Sequence, residues 1–210
     1  MRLMLQSVIA PCHVVKALQV VCAVENFGRL HLPQKSLAIP TKFFISFDLM
    51  SLDAPDERHL RAACDYIELG MFDEAQAELE KIDPFCRHLP EVLSARVPHY
   101  RALKKWDLIA VVARKLTEWN PEEPGNFVDW ADAICRTESI HAAHAILTRA
   151  ASLHPTDPTI QFNLACYEAQ MGNLDRAKAH LKRATEIDAK FRLMALKDPD
   201  LEPLRSSLAD

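Results

Sequence analysis

The sequence predicts an all-α protein in which four helical hairpins stack one on the next and a short last helix closes the stack. Two observations carry this prediction. Small and large apolar residues recur at a spacing of 34 from Asp56 to Phe191, and turn residues fall between them in the same register. The composition agrees: 49% of the 210 residues are hydrophobic, 26% are charged and 4 are glycine, which describes a packed, helix-leaning globular chain and not a collagenous or disordered one. The most regular stretch, Pro158 to Phe191, contains NLACYEAQMGNLDRAKAHLKRA. Ala165, Gly172, Leu174, Ala177, Leu181 and Ala184 mark two short amphipathic helices meeting at a glycine turn. One such hairpin cannot bury its own apolar face, so it needs neighbours.

Residues 1–49 differ from everything that follows. MRLMLQSVIAPCHVVKALQVVCAV is apolar with an early Arg2, which invites a signal-peptide reading. Pro11, His13 and Lys16 interrupt it, no small-x-small cleavage site follows, and Cys22 lacks the small residues a lipidation signal wants. From Gly28 to Asp48, Pro33 and Pro40 break any sustained period. We read 1–49 as an irregular or disordered extension, and Met50 as the natural start of a domain spanning 50–210. Ser51, Asp53, Pro55 and Asp56-Glu57 supply helix-start chemistry, because acceptors and negative charge suit the free N–H groups of a first turn.

From Asp56 the chain divides into blocks 56–89, 90–123, 124–157 and 158–191. The eighth positions are Ala63, Val97, Ala131 and Ala165; the twentieth are Ala75, Ile109, Ala143 and Ala177. Phe72, Trp106, Ile140 and Leu174 share the seventeenth, Leu79, Ala113, Leu147 and Leu181 the twenty-fourth, and Ile82, Leu116, Ala150 and Ala184 the twenty-seventh. Small residues where helices cross, flanked by larger ones, are what close helix packing requires. Pro121 and Pro155 stand at the thirty-second position, where a proline ends a hairpin.

These blocks resemble the tetratricopeptide repeat, a helix-turn-helix unit of about 34 residues. The resemblance covers 56–191 and implies a right-handed superhelical solenoid, with residues 192–210 as a capping segment. The run from NLACYE to DPDLEPL is also similar to the tail of small stand-alone bacterial proteins of this family. Some features depart from the pattern. Lys104 and Glu138 replace the turn glycine that Gly70 and Gly172 supply, repeat one has Asp83-Pro84 early, and Pro98 falls inside a first helix. Its ring should clash with the Ser94 carbonyl at a cost of about 3 kcal/mol, so a kink or break is expected there. In the cap, Asp200 reads as an N-cap, with Leu196, Leu201 and Leu204 covering the exposed end of repeat four.

The resemblance places the first helices along a concave groove, and there the groove candidates are Arg61, Arg101, Asp129, Asp132, Arg136 and Asn163. Some relatives clamp a peptide C-terminal carboxylate with Lys and Asn. The matching positions here hold Leu60, Arg61, Cys64, Ser94, Ala95 and Pro98, so that clamp is absent. The arginines can pair bidentately with carboxylates of a peptide, or be neutralised by Glu57, Asp129 and Asp132. Cys64, Cys135 and Cys166 fall on groove positions but on different repeats, without paired zinc ligands, and read as small buried hydrophobes. His141 and His144 lie three apart without a HExxH pattern and read as surface histidines. No GxSxG, P-loop or dinucleotide fingerprint is present. No catalytic, cofactor or metal residues are therefore assigned.

The formal net charge is -4; residues 1–49 hold 5 Lys+Arg against 2 Asp+Glu, leaving 20 against 27 in the remainder. An acidic body argues against nucleic acid and anionic membrane as partners. Six scattered cysteines without CxxC spacing fit reduced thiols in a cytoplasmic protein, and no uninterrupted apolar run is long enough to span a membrane. The expected function is a non-catalytic scaffold that holds a peptide segment of another protein in the groove. The alternative is a self-associating structural or assembly protein, a homo-oligomer.

Overall fold

Helix starts are written into the chain at the first helix of each pair. The computed structural model of the protein describes residues 51–207, so the expected N-terminal extension lies outside the described residues. Asp53 Oδ1 accepts from the backbone N–H of Asp56 at 2.9 Å and opens α1 (Ala54–Glu68), which is followed by α2 (Phe72–Lys81). The next pairs are α3 (Pro90–Ala102) with α4 (Trp106–Trp119), α5 (Pro124–Thr137) with α6 (Ile140–Leu153), and α7 (Pro158–Gln170) with α8 (Leu174–Ile187). Pro55, Pro90, Pro124 and Pro158 each sit in the first turn of a first helix, where the missing N–H would have had no helical partner. Glu123, Ser139 and Asp157 cap α5, α6 and α7 through side-chain oxygens. Among the described residues no strand occurs.

Residues 34 apart are buried alike. Ala63, Val97, Ala131 and Ala165 are all buried, and Ala75, Ile109, Ala143 and Ala177 are fully so. The seventeenth position is looser, since Leu174 is exposed on the outer side of α8. Four apolar clusters run along the chain, and each joins one hairpin to the element that follows it. Val92 and Ala95 of α3 complete the first, Ala133 of α5 the second, and Ile160 and Leu164 of α7 the third. This is the solenoid solution, in which every hairpin borrows its missing wall from its neighbour.

The last hairpin has no following repeat, and the C-terminal segment replaces it. Helix α9 (Lys190–Lys197) and a 3-10 helix (Pro199–Ser207) bring Phe191, Ala195, Leu201 and Leu204 into the fourth cluster. Leu201 and Leu204 are fully buried, worth about 1.5–3 kcal/mol each. Two details of the expected cap differ. Leu196 points to solvent, because Phe191 and Ala195 already fill that side of α9. The capping residue is Asp198, whose Oδ1 accepts from the N–H of Asp200 at 2.9 Å.

Helix α3 is unbroken through Pro98. Pro98 and Ser94, one turn before it, are both exposed, so the carbonyl deprived of its donor lies on the solvent side, where losing the bond costs little and the helix continues. Lys104 adopts φ 56, beside φ 73 at Gly70 and φ 82 at Gly172. All three turns close with the same pair of backbone bonds; at Lys104 these are Lys104 N to Arg101 O and Lys105 N to Tyr100 O. The turn geometry thus persists where the glycine does not.

Candidate functional site

Side chains on one first helix meet those on the next after 28 to 34 residues, because one repeat returns the chain to the same face. Four of the six groove candidates come together in this way. Arg101 on α3 reaches α5 with Nη2 2.5 Å from Asp129 Oδ1 and Nη1 2.8 Å from Asp132 Oδ2. Arg136 Nε lies 3.0 Å from the other Asp132 oxygen, and its guanidinium sits 4.3 Å from the Trp106 ring centroid. Burial pushes the Asp129 carboxyl up, Arg101 pulls it back and Asp132 adds to the rise. Both arginines are engaged within the chain. The pairs are partly exposed, so each contributes at most about 1 kcal/mol.

The other two candidates stand apart. Arg61 is exposed on α1 and has no ion pair among the described residues. Asn163 donates its amide to the Thr159 carbonyl of its own helix at 2.8 Å.

Between the starts of α5 and α7 lies a recess of about 230 Å³ lined by Gly125, Val128, Asp129, Asp157 and Thr159, with Glu123 and Pro124 at its edge. Glu123 caps Gly125 N at 3.2 Å and Asp157 caps Ile160 N at 2.8 Å. Each of these carboxylates satisfies a helix start, yet with Asp129 they give the recess a negative wall. Gly125, Val128 and Thr159 leave it floored by small side chains.

Farther along, Cys166 of α7 faces the cap. Its Sγ–H donates to Asp198 Oδ2 at 3.9 Å, and Sγ and one oxygen each of Asp198 and Asp200 lie within 4.8 Å of one another. Burial, then Asp198 and Asp200, pushes the Cys166 thiol up. Burial and Asp198 push the Asp200 carboxyl up too, against a hydrogen bond from Gln170. Cys64 and Cys135 are half-buried, and burial raises both thiols. Cys64 and Cys135 therefore stay protonated at neutral pH, without the lowered pKa of a reactive thiol. The signal that could have associated Cys166 with Asp198 and Asp200 was their offsets of 32 and 34, close to one repeat, which bring the cap beside α7.

His144 departs from the surface reading. Its Nε2–H donates to Glu168 Oε1 at 3.0 Å, while Asn173 donates to Oε2 at 2.8 Å, so the buried Glu168 carboxylate is satisfied on both oxygens. Gln161, also buried, accepts from His180 Nδ1 at 2.8 Å. Neither set leaves a group free for chemistry. His99 on α3 is the opposite case: it is fully buried beside Phe72 and Tyr100, with neither ring nitrogen partnered. Burial, with Lys105 and Arg96 against Asp73, pushes its pKa down and keeps the ring neutral.

Among the described residues no helix is long and apolar enough to cross a membrane. Residues 158–191 match the family model of the tetratricopeptide repeat. No curated protein sequence matches the chain. Among solved structures, the chain is similar to MamA MSR-1 C2, with 22% identity over 69% of this chain and 80% of that one at a TM-score of 0.55. It is similar to MamA 41-end from Desulfovibrio magneticus RS-1, with 13% identity over 74% and 92% at 0.58. A thermophilic TPR protein in Thermus thermophilus gives 19% over 73% and 82% at 0.57. At these identities the likeness speaks for fold alone. The chain carries a tetratricopeptide repeat at 158–191 and has the helical solenoid fold of tetratricopeptide proteins.

Proposed function

We propose that this protein is a non-catalytic scaffold that holds an extended segment of a partner protein along the first helices, with a basic side chain of that segment in the recess between α5 and α7. The observation that supports this most is the recess itself, a small-floored concavity edged by Glu123, Asp129 and Asp157. A Lys or Arg side chain suits it, because a cation gains there from Glu123 and Asp157, with Asp129 already met by Arg101, and its aliphatic stem can lie along Val128. Arg101 and Arg136 serve this reading by holding Asp129 and Asp132 in place rather than by meeting an acidic ligand. Arg61 and Asn163 remain at the ends of the same path.

Val128→Arg with Thr159→Arg fills the recess with positive charge at two incompletely buried positions. We expect partners captured from extracts of the native host to be lost by this double variant, while its helical circular dichroism stays unchanged. An unchanged set of partners sinks the reading.

Self-association is the second reading, favoured by the outer side of α9, where Leu193, Met194 and Leu196 are 65%, 46% and 43% exposed. Light scattering across concentration separates it from a monomeric adaptor, which keeps one mass throughout.

A further inference from the structure

The geometry points to a zinc-class cation site at Cys166, Asp198 and Asp200, with the thiolate and one oxygen of each carboxylate as ligands. Three features of the chain support it. First, the donor atoms converge within 4.8 Å, and Sγ lies 3.9 Å from Asp198 Oδ2. A tetrahedral zinc ion takes sulfur at about 2.3 Å and oxygen at about 2.0–2.2 Å, which sets the sulfur–oxygen separation at roughly 3.5 Å. The observed arrangement is slightly wider along that edge.

Second, among the described residues no basic side chain forms an ion pair with the acids of the cluster. Cys166 is 5% exposed and its thiol has Asp198 as its partner. Among the described residues neither carboxylate has an ion pair, whereas Asp129 and Asp132, in the equivalent contact between α3 and α5, are met by Arg101 and Arg136. Burying a thiol against two carboxylates is unfavourable for any charge they carry, and a divalent cation reverses the sign of that interaction.

Third, the ligands are held before any ion arrives. Asp198 Oδ1 is occupied by the N–H of Asp200, which turns Oδ2 toward sulfur, where it accepts from the Cys166 thiol until that proton is lost. Arg205 donates to the Asp198 carbonyl at 3.2 Å, Pro199 fixes the backbone between the two acids, and Gln170 bonds Asp200. Outer contacts of this kind orient ligands and tune affinity. Leu201 and Leu204, fully buried, anchor the turn to α7.

A soft thiolate with two carboxylates suits zinc; magnesium and calcium take oxygen alone. As the metal–sulfur bond forms, the Cys166 proton leaves to solvent, so binding releases one proton per ion and weakens as pH falls. Three protein ligands leave a fourth position to water. The site does not depend on peptide capture by the recess.

Cobalt(II) is the probe, because a thiolate ligand gives it a near-ultraviolet charge-transfer band and a tetrahedral field gives intense visible bands. On titration of the full chain, the thiolate band should rise with one equivalent of Co²⁺ and vanish when Zn²⁺ is added. Cys166→Ala should lose that equivalent, Asp200→Asn should bind about tenfold more weakly or worse, and Cys135→Ala should titrate like the parent. Asp200 is exposed, so its variant folds, and circular dichroism checks the helix content of each. The site is refuted if the parent develops no thiolate band, if the band survives in Cys166→Ala, or if Asp200→Asn binds like the parent.

Discussion

Two contacts between successive elements each bridge roughly one repeat and end differently. Between α3 and α5, two aspartates on α5 meet Arg101 from the preceding hairpin and Arg136 from their own helix, and the charges close on each other. Between α7 and the cap, two aspartates meet a buried thiol, and among the described residues no Lys or Arg side chain forms an ion pair with them. The first is closed by arginines within the chain; the second gathers a thiol and two carboxylates with no arginine between them. Repetition of a hairpin fixes where side chains meet, and the identity of the residue about one repeat earlier decides whether the meeting is a structural ion pair or a cluster of thiol and carboxylates.

The largest way to break this comparison is to remove the wall that presents Asp198 and Asp200. Leu204→Ala opens a cavity in the fourth cluster and should cost about 2–5 kcal/mol in urea unfolding, with Co²⁺ binding falling in parallel. A loss below about 1 kcal/mol would mean that the cap does not hold the last hairpin.

A smaller effect sharpens the electrostatic half. The folded Asp200 carboxyl is raised above its ordinary value by burial and Asp198. Its ionised form is therefore penalised by folding at neutral pH, and the penalty is relieved as pH falls through the raised value toward about 4. Asp200→Asn should accordingly be more stable than the parent at pH 7 in metal-free buffer, with the difference shrinking to nothing below about pH 4. A difference that grows on acidification contradicts the sign.

The turns give the smallest contrast. Lys104 takes the left-handed conformation that Gly172 takes in the last hairpin, and a Cβ there carries a strain of about 1 kcal/mol. Lys104→Gly should raise stability by up to about 1 kcal/mol, read as a small increase in Tm. No change would show that the glycine's extra unfolded-state entropy cancels the relief.

Much of the fold was legible in the sequence because packing in a repeat depends on residue size at fixed intervals. Ala75, Ile109, Ala143 and Ala177 declare a helix crossing by size alone, and all four are fully buried. Asp53 as a cap and Gly70 and Gly172 as turns follow from backbone chemistry in the same direct way. The site was less legible. That Arg101 would be held by both Asp129 and Asp132, and Cys166 by Asp198, depends on how far each helix rotates relative to the next, which residue types do not encode. Pro98 fell between these cases: its lost hydrogen bond was readable, but the solvent-side placement that tolerates the loss was not. His144 looked like a surface residue because its partner, Glu168, stands on the following helix.

The central functional claim is that partners lie in the recess between α5 and α7. Its most direct test is a photo-reactive residue placed at Thr159, inside the recess, and separately at Ala179, exposed on α8. The account predicts that irradiation in host extract joins a partner peptide to position 159, that a basic residue lies within the joined segment, and that position 179 stays unlinked. Linkage to the same partner from 179, with none from 159, would contradict it.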